Sequence, residues 1–312
     1  MNDPQTRWLI GGTVALLVLA TIIGRILRRR ATNESSQKVV ANLNARINAW
    51  WAMVAVFAGA LFVGPLGTTV LFALMSFLAL REFITLTPSK RGDHRALFWA
   101  FFILLPIQYI LIARQWYGMF SIFIPVYAFL FIPIRNAIAG DTERFLERTA
   151  KIQWGLMVCV YFVSYAPALL TLHIPGYERQ NAKLLFFFAA VVQLSDVLQY
   201  VFGKLVGKRP VARNVSPNKT LEGFLGGTLA ASAVGAALWW ATPFSPLAAF
   251  GMALAITLMG FFGGLTMSAI KRDRGVKDYG ELLPGHGGMM DRIDSLCFAA
   301  PVFFHLTRYF YT

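Results

Sequence analysis

Two cysteines in 312 residues, Cys159 and Cys297, leave no material for a disulfide framework or a cysteine metal site. Both fall inside apolar stretches, where a lone thiol behaves as a small core residue. Charge is scarce as well. Asp, Glu, Lys and Arg make up 14% of the chain, against about 25% in an ordinary soluble domain. Acidic residues are the rarer sign, 15 against 29 basic. The short alternating segments of a membrane β-barrel are missing. So are internal repeats and any polar tract large enough for a soluble domain. What remains is oily: 57% hydrophobic and 14% aromatic, with a mean hydropathy of +0.57.

The apolar residues gather into runs at 8–27, 50–64, 66–80, 96–113, 116–134, 152–172, 183–202, 221–241, 246–268 and 295–311. Most are long enough to cross a hydrocarbon layer of roughly 30 Å as a helix. The expected fold class is therefore an all-α polytopic membrane protein with about ten transmembrane helices. The first run has its positive cluster after it and no small-residue cleavage site, so it reads as a retained helix and not a signal peptide.

The net charge of +14 does not point to nucleic acid. With the N-terminus outside, only Arg7, Arg114, Arg179, Lys183 and Arg308 fall on the outer side, leaving 24 of the 29 basic residues inside. That asymmetry is the positive-inside pattern, so the basic loops are expected to face the cytoplasm and anionic lipid. Residues 1–180 read as N-terminal transmembrane helices. They include an interfacial helix near 38–49, where Val39, Val40, Leu43 and Ile47 recur at helical spacing before the Trp50–Trp51 anchor. Residues 181–312 read as the catalytic transmembrane region. In the loop 135–151, Arg144, Glu147, Arg148 and Lys151 have the spacing of helical ion pairs.

Three features of the second half exceed what topology needs. Asp196 lies within an apolar run, where a carboxylate is costly unless paired, hydrated or metal-bound. The loop 203–227 is broken by Pro210 and Pro217. Its "SPNKTLEG" resembles a helix start, with Ser216 and Thr220 as caps and Lys219 beside a helix end suited to phosphate. It lacks Walker A spacing. Gly223, Gly226 and Gly227 suit close helix packing. The third is "KRDRGVKDYGELLPGHGGMMDRID", residues 271–294. Lys271, Arg272 and Lys277 supply cations. Asp278, Asp291 and Asp294 supply hard oxygen ligands of the kind Mg²⁺ takes together with substrate phosphates. The glycines around His286 allow amides to converge on an anion. Together these suggest phosphoryl or nucleotidyl transfer.

The stretch from Ser268 to Asp294 resembles the pattern of the phosphatidate cytidylyltransferases (CDP-diacylglycerol synthases), S-x-x-K-R-x4-K-D-x-G-x3-P-G-H-G-G-x-x-D-R-x-D, at every fixed position. Ser195-Asp196, Tyr200, Gly207-Lys208, Ser216-Pro217, Lys219-Thr220 and Glu222-Gly223 also look like that family. One departure stands out: "SDVLQY" has Leu198 and Gln199 where the family has a small pair. The resemblance implies a bacterial inner-membrane enzyme that uses CTP and phosphatidate, or a related lipid phosphate, to make CDP-diacylglycerol and pyrophosphate. It implies Mg²⁺ held by Asp278, Asp291 and Asp294 with Asp196 nearby, and Lys277 among the catalytic residues. Lys271, Arg272, Lys219, Ser216, Thr220, Ser268, His286, Gly287, Gly288 and Arg292 then bind substrate. A homodimer stays open. Two other readings stay open too: a CTP-dependent polyprenol or lipid kinase, which releases CDP, and a transporter with Asp196 as its ion site.

Overall fold

A computed structural model describes residues 4–30, 33–87, 90–282 and 287–312. Among them are ten helical segments and one small hairpin. The helices are α1 (Pro4–Arg30), α2 (Glu34–Val63), α3 (Pro65–Thr85), α4 (Arg91–Ala113), α5 (Tyr117–Ile138), α6 (Phe145–Thr171), α7 (Asn181–Val206), α8 (Leu221–Ala237), α9 (Pro246–Asp273) and α10 (Met290–Tyr311). Eight are long and apolar enough to cross a membrane. Of the other two, α8 is a shorter apolar helix and α10 begins in the charged motif. The all-α polytopic expectation is met, and this is an integral membrane protein.

The breaks between helices follow local chemistry. Gly64 turns the chain at a φ of 100°, a conformation that favours glycine, and Pro65 opens α3, where its missing N–H costs nothing. Ser245 caps α9 by accepting from the Ala248 amide, and Pro246 follows it. Each of α4, α5 and α6 carries one π-helical stretch: 100–104, 123–128 and 156–162. The stretch near 38–49 is not a separate helix. Residues 34–58 contain neither Gly nor Pro, so α2 continues unbroken for 30 residues. It packs along α1, where Asn44 donates to the Gly24 carbonyl at 3.3 Å and the Trp51 indole donates to Thr21 Oγ1 at 3.0 Å.

Helix α6 is the most buried of the candidate spans, 67% along its apolar stretch, against 17% for α1 and 11% for α2. Several buried side-chain amides of the bundle donate to neighbouring helices, which suits an interior without water. Gln108 donates to the Phe120 carbonyl and to Ser164 Oγ, and Asn136 donates to Thr149. Both cysteines are buried free thiols, as expected. At the start of α6, Glu147 pairs with Arg144 and Lys151 as the spacing predicts. Arg148 does not join them. It is buried against Asp93 (2.9 Å) and Asp141 (2.8 Å) and ties the start of α4 to α6.

The second half packs in chain order, α7 on α8, α8 on α9 and α9 on α10. Between α7 and α8 lies the correction to the helix-start reading of "SPNKTLEG". Pro210–Ala212 (β1) and Ser216–Thr220 (β2) pair as an antiparallel hairpin, so Ser216 is a strand residue and not a cap. Thr220 does cap α8, accepting from the Gly223 amide at 3.1 Å. Glu222 pins the hairpin by accepting from the Lys208 and Arg209 amides and from Arg209 Nε. Beyond it, Gly223 and Gly227 let the α8 backbone lie directly on Gln199 and Gly203 of α7: a Cβ on Gly223 would come within 2.8 Å of the Gln199 carbonyl oxygen. A Cβ on Gly227 would fall on the Gln199 backbone. We therefore expect Gly227→Val to cost at least about 1–3 kcal/mol, read as a lower melting temperature of the purified protein in detergent.

Candidate functional site

Four elements converge on the start of α10: the cytoplasm-predicted ends of α3, α7 and α9, and strand β2. Asp294 in the first turns of α10 and Asp196 on α7 lie on either side of Ser295. The Ser295 hydroxyl donates to Asp196 Oδ1 at 3.0 Å and stands 3.4 Å from Asp294 Oδ1, while the Ser295 amide donates to that same Asp294 oxygen at 2.7 Å. Both residues are partly buried. Lys219 reaches this pair from β2. Its ammonium runs over the Phe261 ring, 5.0 Å from the centroid, and occupies the space left by Gly264, where a Cβ would come within 2.7 Å of Nζ. A glycine on α9 thus makes room for a cation beside two acids.

A second pair lies one turn away. Lys271, near the end of α9, donates to Asp291 Oδ1 at 2.8 Å, and both side chains are almost fully buried. Asp291 Oδ2 accepts from the amides of Tyr279 (2.7 Å) and Gly288 (3.0 Å). Gly287, at a φ of 77°, brings the chain back over Asp291, and a Cβ there would come within 2.8 Å of Oδ2. Tyr279 closes the floor. It is 3% exposed, lies under the Lys271 ammonium at 5.4 Å and donates its hydroxyl to the Met267 carbonyl at 3.0 Å. Burial, with the nearby anions second, pushes its phenol pKa well above the usual value, so it stays protonated.

The expected four-carboxylate metal set is not gathered. Among the described residues no three of His, Cys, Asp and Glu come together as a metal cluster. Asp196 and Asp294 are together. Asp291 is instead a strut engaged by one ammonium and two amides, and Asp278 is exposed, with Lys277 exposed beside it. Arg272 also stays outside, its guanidinium donating to the carbonyls of Val215 (3.3 Å) and Val276 (2.8 Å), which ties the hairpin to the motif loop. Ser268 bonds its own helix at the Gly264 carbonyl. Arg292 is half-buried with no hydrogen-bond partner for its Nε among the described residues. His286 lies outside the described residues. In "SDVLQY", Gln199 packs on Gly227 and donates to Ser195 Oγ at 2.8 Å, filling the α7–α8 groove one turn from Asp196.

Three residues were missed in the sequence. Ser295 could have been found as the hydroxyl next to Asp294. Tyr279 lies within the motif, at one of its variable positions. Glu82, in the last turn of α3, accepts from the amides of Met289 and Met290, both at 2.8 Å, although more than 200 residues separate them in the sequence.

A family model described as "Cytidylyltransferase family" matches residues 44–310. The chain is 41% identical over 299 residues to "Uncharacterized protein YnbB" of Escherichia coli (strain K12), covering 95% of this chain and 96% of that one. It is 30% identical over 266 residues to "Phosphatidate cytidylyltransferase" of Bacillus subtilis (strain 168), covering 82% and 94%. Against the protein of that name in Staphylococcus aureus (strain COL) it is 40% identical over 130 residues, 40% of this chain and 50% of the relative.

The buried Lys271–Asp291 pair generates a stability prediction. Lys271→Met strands a buried carboxylate, so folding should lose about 3–5 kcal/mol, measured as a fall in the melting temperature in detergent. A melting point unchanged by Lys271→Met would show that the pair contributes nothing to the fold.

Proposed function

With the chain belonging to the cytidylyltransferase family, and so a nucleotidyltransferase, we propose that it transfers the cytidylyl group of CTP to phosphatidate or a closely related lipid phosphate, releasing pyrophosphate. The observation that carries this reading is the grouping of Asp196, Asp294 and Lys219 at the meeting point of α7, α9 and β2, in front of the Lys271–Asp291 pair. The positive-inside asymmetry of the loops supports a cytoplasmic position for this end of the bundle, where a water-soluble nucleotide and a lipid phosphate can meet.

The nucleophile is a phosphate oxygen that is already an anion, so no side chain has to be activated as a base. Its attack forms a new P–O bond at the α-phosphorus, and the bond from that phosphorus to the bridging oxygen of pyrophosphate breaks. The obstacle is bringing two anionic substrates together. Lys219, poised in the Gly264 space, meets the phosphates directly. Lys271 offers a second ammonium held in place by Asp291 and Tyr279. Two hard carboxylates side by side fit Mg²⁺, which typically binds one or two carboxylates plus substrate phosphates. Bound by Asp196 and Asp294, the ion would supply charge neutralisation at the reacting phosphates. Ser295 orients both carboxylates through its hydroxyl and amide. Bulk at Leu198 and Gln199, beside Asp196, is where preference for one lipid phosphate over another would be set.

The test is purified protein with labelled CTP, Mg²⁺ and a panel of phosphatidate, lysophosphatidate and a polyprenyl phosphate, with both products identified. The expected outcome is a cytidylylated lipid and pyrophosphate in equal amounts, while release of CDP and a phosphorylated lipid would make the protein a kinase. Within that assay, Asp196→Asn and Asp294→Asn should each lower kcat by roughly 100-fold or more, and exposed Asp278→Asn should cost less than about tenfold. An equal loss at Asp278 would return it to the metal set.

A further inference from the structure

Glu82 stands in the last turn of α3, in the half of the chain that carries none of the motif. Its two carboxylate oxygens accept from consecutive amides at the start of α10, Oε1 from Met289 and Oε2 from Met290, each at 2.8 Å. The motif loop closes on this carboxylate from both limbs. A Cβ on Gly280 would come within 3.0 Å of it, and a Cβ on Gly288 would overlap it. The next residue on α3, Phe83, stacks on Tyr279 with ring centroids 6.4 Å apart and 22° between planes. Asp291 takes the adjoining Gly288 amide and the Tyr279 amide. Two carboxylates, one from each half of the chain, therefore hold three successive amides, 288 to 290.

These amides are among the donors that a helix N-terminus leaves without intrahelical partners. A carboxylate there gains from charge-assisted hydrogen bonds and from the positive end of the helix dipole. The arrangement has a functional reading, because the same turn orients Asp291 against Lys271 and sets the rotation of α10 that brings Asp294 to Asp196. We propose that Glu82 is a positioning residue for the cytidylyl transfer: it clamps the start of α10 to α3 and so fixes the alignment of Asp291 and Asp294, without touching substrate. This rests on the reaction proposed above. It also means that the Met289 and Met290 amides are already taken by a protein carboxylate. Phosphate recognition then does not use those two amides.

The experiment uses Glu82→Gln in the full-length protein, with Glu82→Ala as a second variant. Glutamine keeps the volume but offers one acceptor, and its NH₂ faces a backbone N–H. Displacement of reacting groups by about 1 Å can cost up to roughly 100-fold, so we expect kcat to fall about 10- to 100-fold. KM for CTP and for phosphatidate should stay within about threefold, because the proposal places Glu82 in contact with neither substrate. Amide hydrogen exchange at Met289 and Met290 should accelerate, while exchange in α7 and in the middle of α9 stays as in the unmodified protein. A kcat within twofold of the unmodified protein, despite faster exchange at those two amides, would overturn the positioning role. Unchanged exchange at the two amides would overturn the clamp itself. Faster exchange throughout the bundle, with kcat per folded molecule retained, would reduce Glu82 to a purely structural residue. An unmodified protein that cytidylylates no lipid phosphate would overturn the proposed reaction, and the exchange at Met289 and Met290 would still decide whether the clamp exists.

Discussion

A helix start leaves backbone amides without intrahelical partners, and the site depends on how α10 meets that demand. Its first donors are taken by carboxylates, Glu82 from α3 and Asp291 from α10 itself. Once those bonds are made, much of the neighbourhood is decided. Asp291 must have a cation, and Lys271 supplies it. Tyr279 must lie under that cation with its amide toward Asp291. The loop between α9 and α10 must approach Glu82 closely, so Gly280 and Gly288 stand where any side chain would collide. Polar satisfaction at one helix start thereby organises residues from three helices and the loop.

The second requirement is close approach. Charged groups reach one another only where helix backbones come near. Gly223 and Gly227 seat α8 directly on α7, which carries Asp196, and Gly263 lets α9 touch the Asp294 carbonyl region of α10. Gly264 does something different, since the vacancy beside it is filled by a lysine ammonium brought in by the β-hairpin. The hairpin is the only sheet among the described residues. It is short, held by Glu222 at its base and by Arg272 at Val215, and it delivers Lys219 to two acids without a helix having to do so.

Much of the fold was legible. Ten apolar runs became ten helices because each needs only length and composition to be recognised, and Gly64–Pro65 and Ser245–Pro246 mark helix boundaries by local turn and capping chemistry. The loop after Pro210 was less readable. Its prolines correctly excluded one long helix, but strand pairing between 210–212 and 216–220 depends on a partner across a turn, which no periodicity in so short a segment reveals. The site was readable in part. Asp196 stands out in an oily run, and the motif carboxylates stand out in a basic loop. What spacing could not do was divide them. Asp291 and Asp294, three residues apart on one helix, turned to different tasks because Lys271 met the first and Ser295 and Asp196 met the second.

The sequence by itself determined that this chain crosses a membrane many times, that its charged motif lies at helix ends, and that the motif belongs with nucleotide and phosphate chemistry. Those properties are local: hydropathy, turn residues and a fixed run of side chains act within a few positions of one another. The tertiary structure alone decided which acids share a site, which cation serves each, and that Glu82 braces the start of α10. Those outcomes depend on contacts between residues up to 208 positions apart, where a side chain's role is set by the partner that packing brings to it.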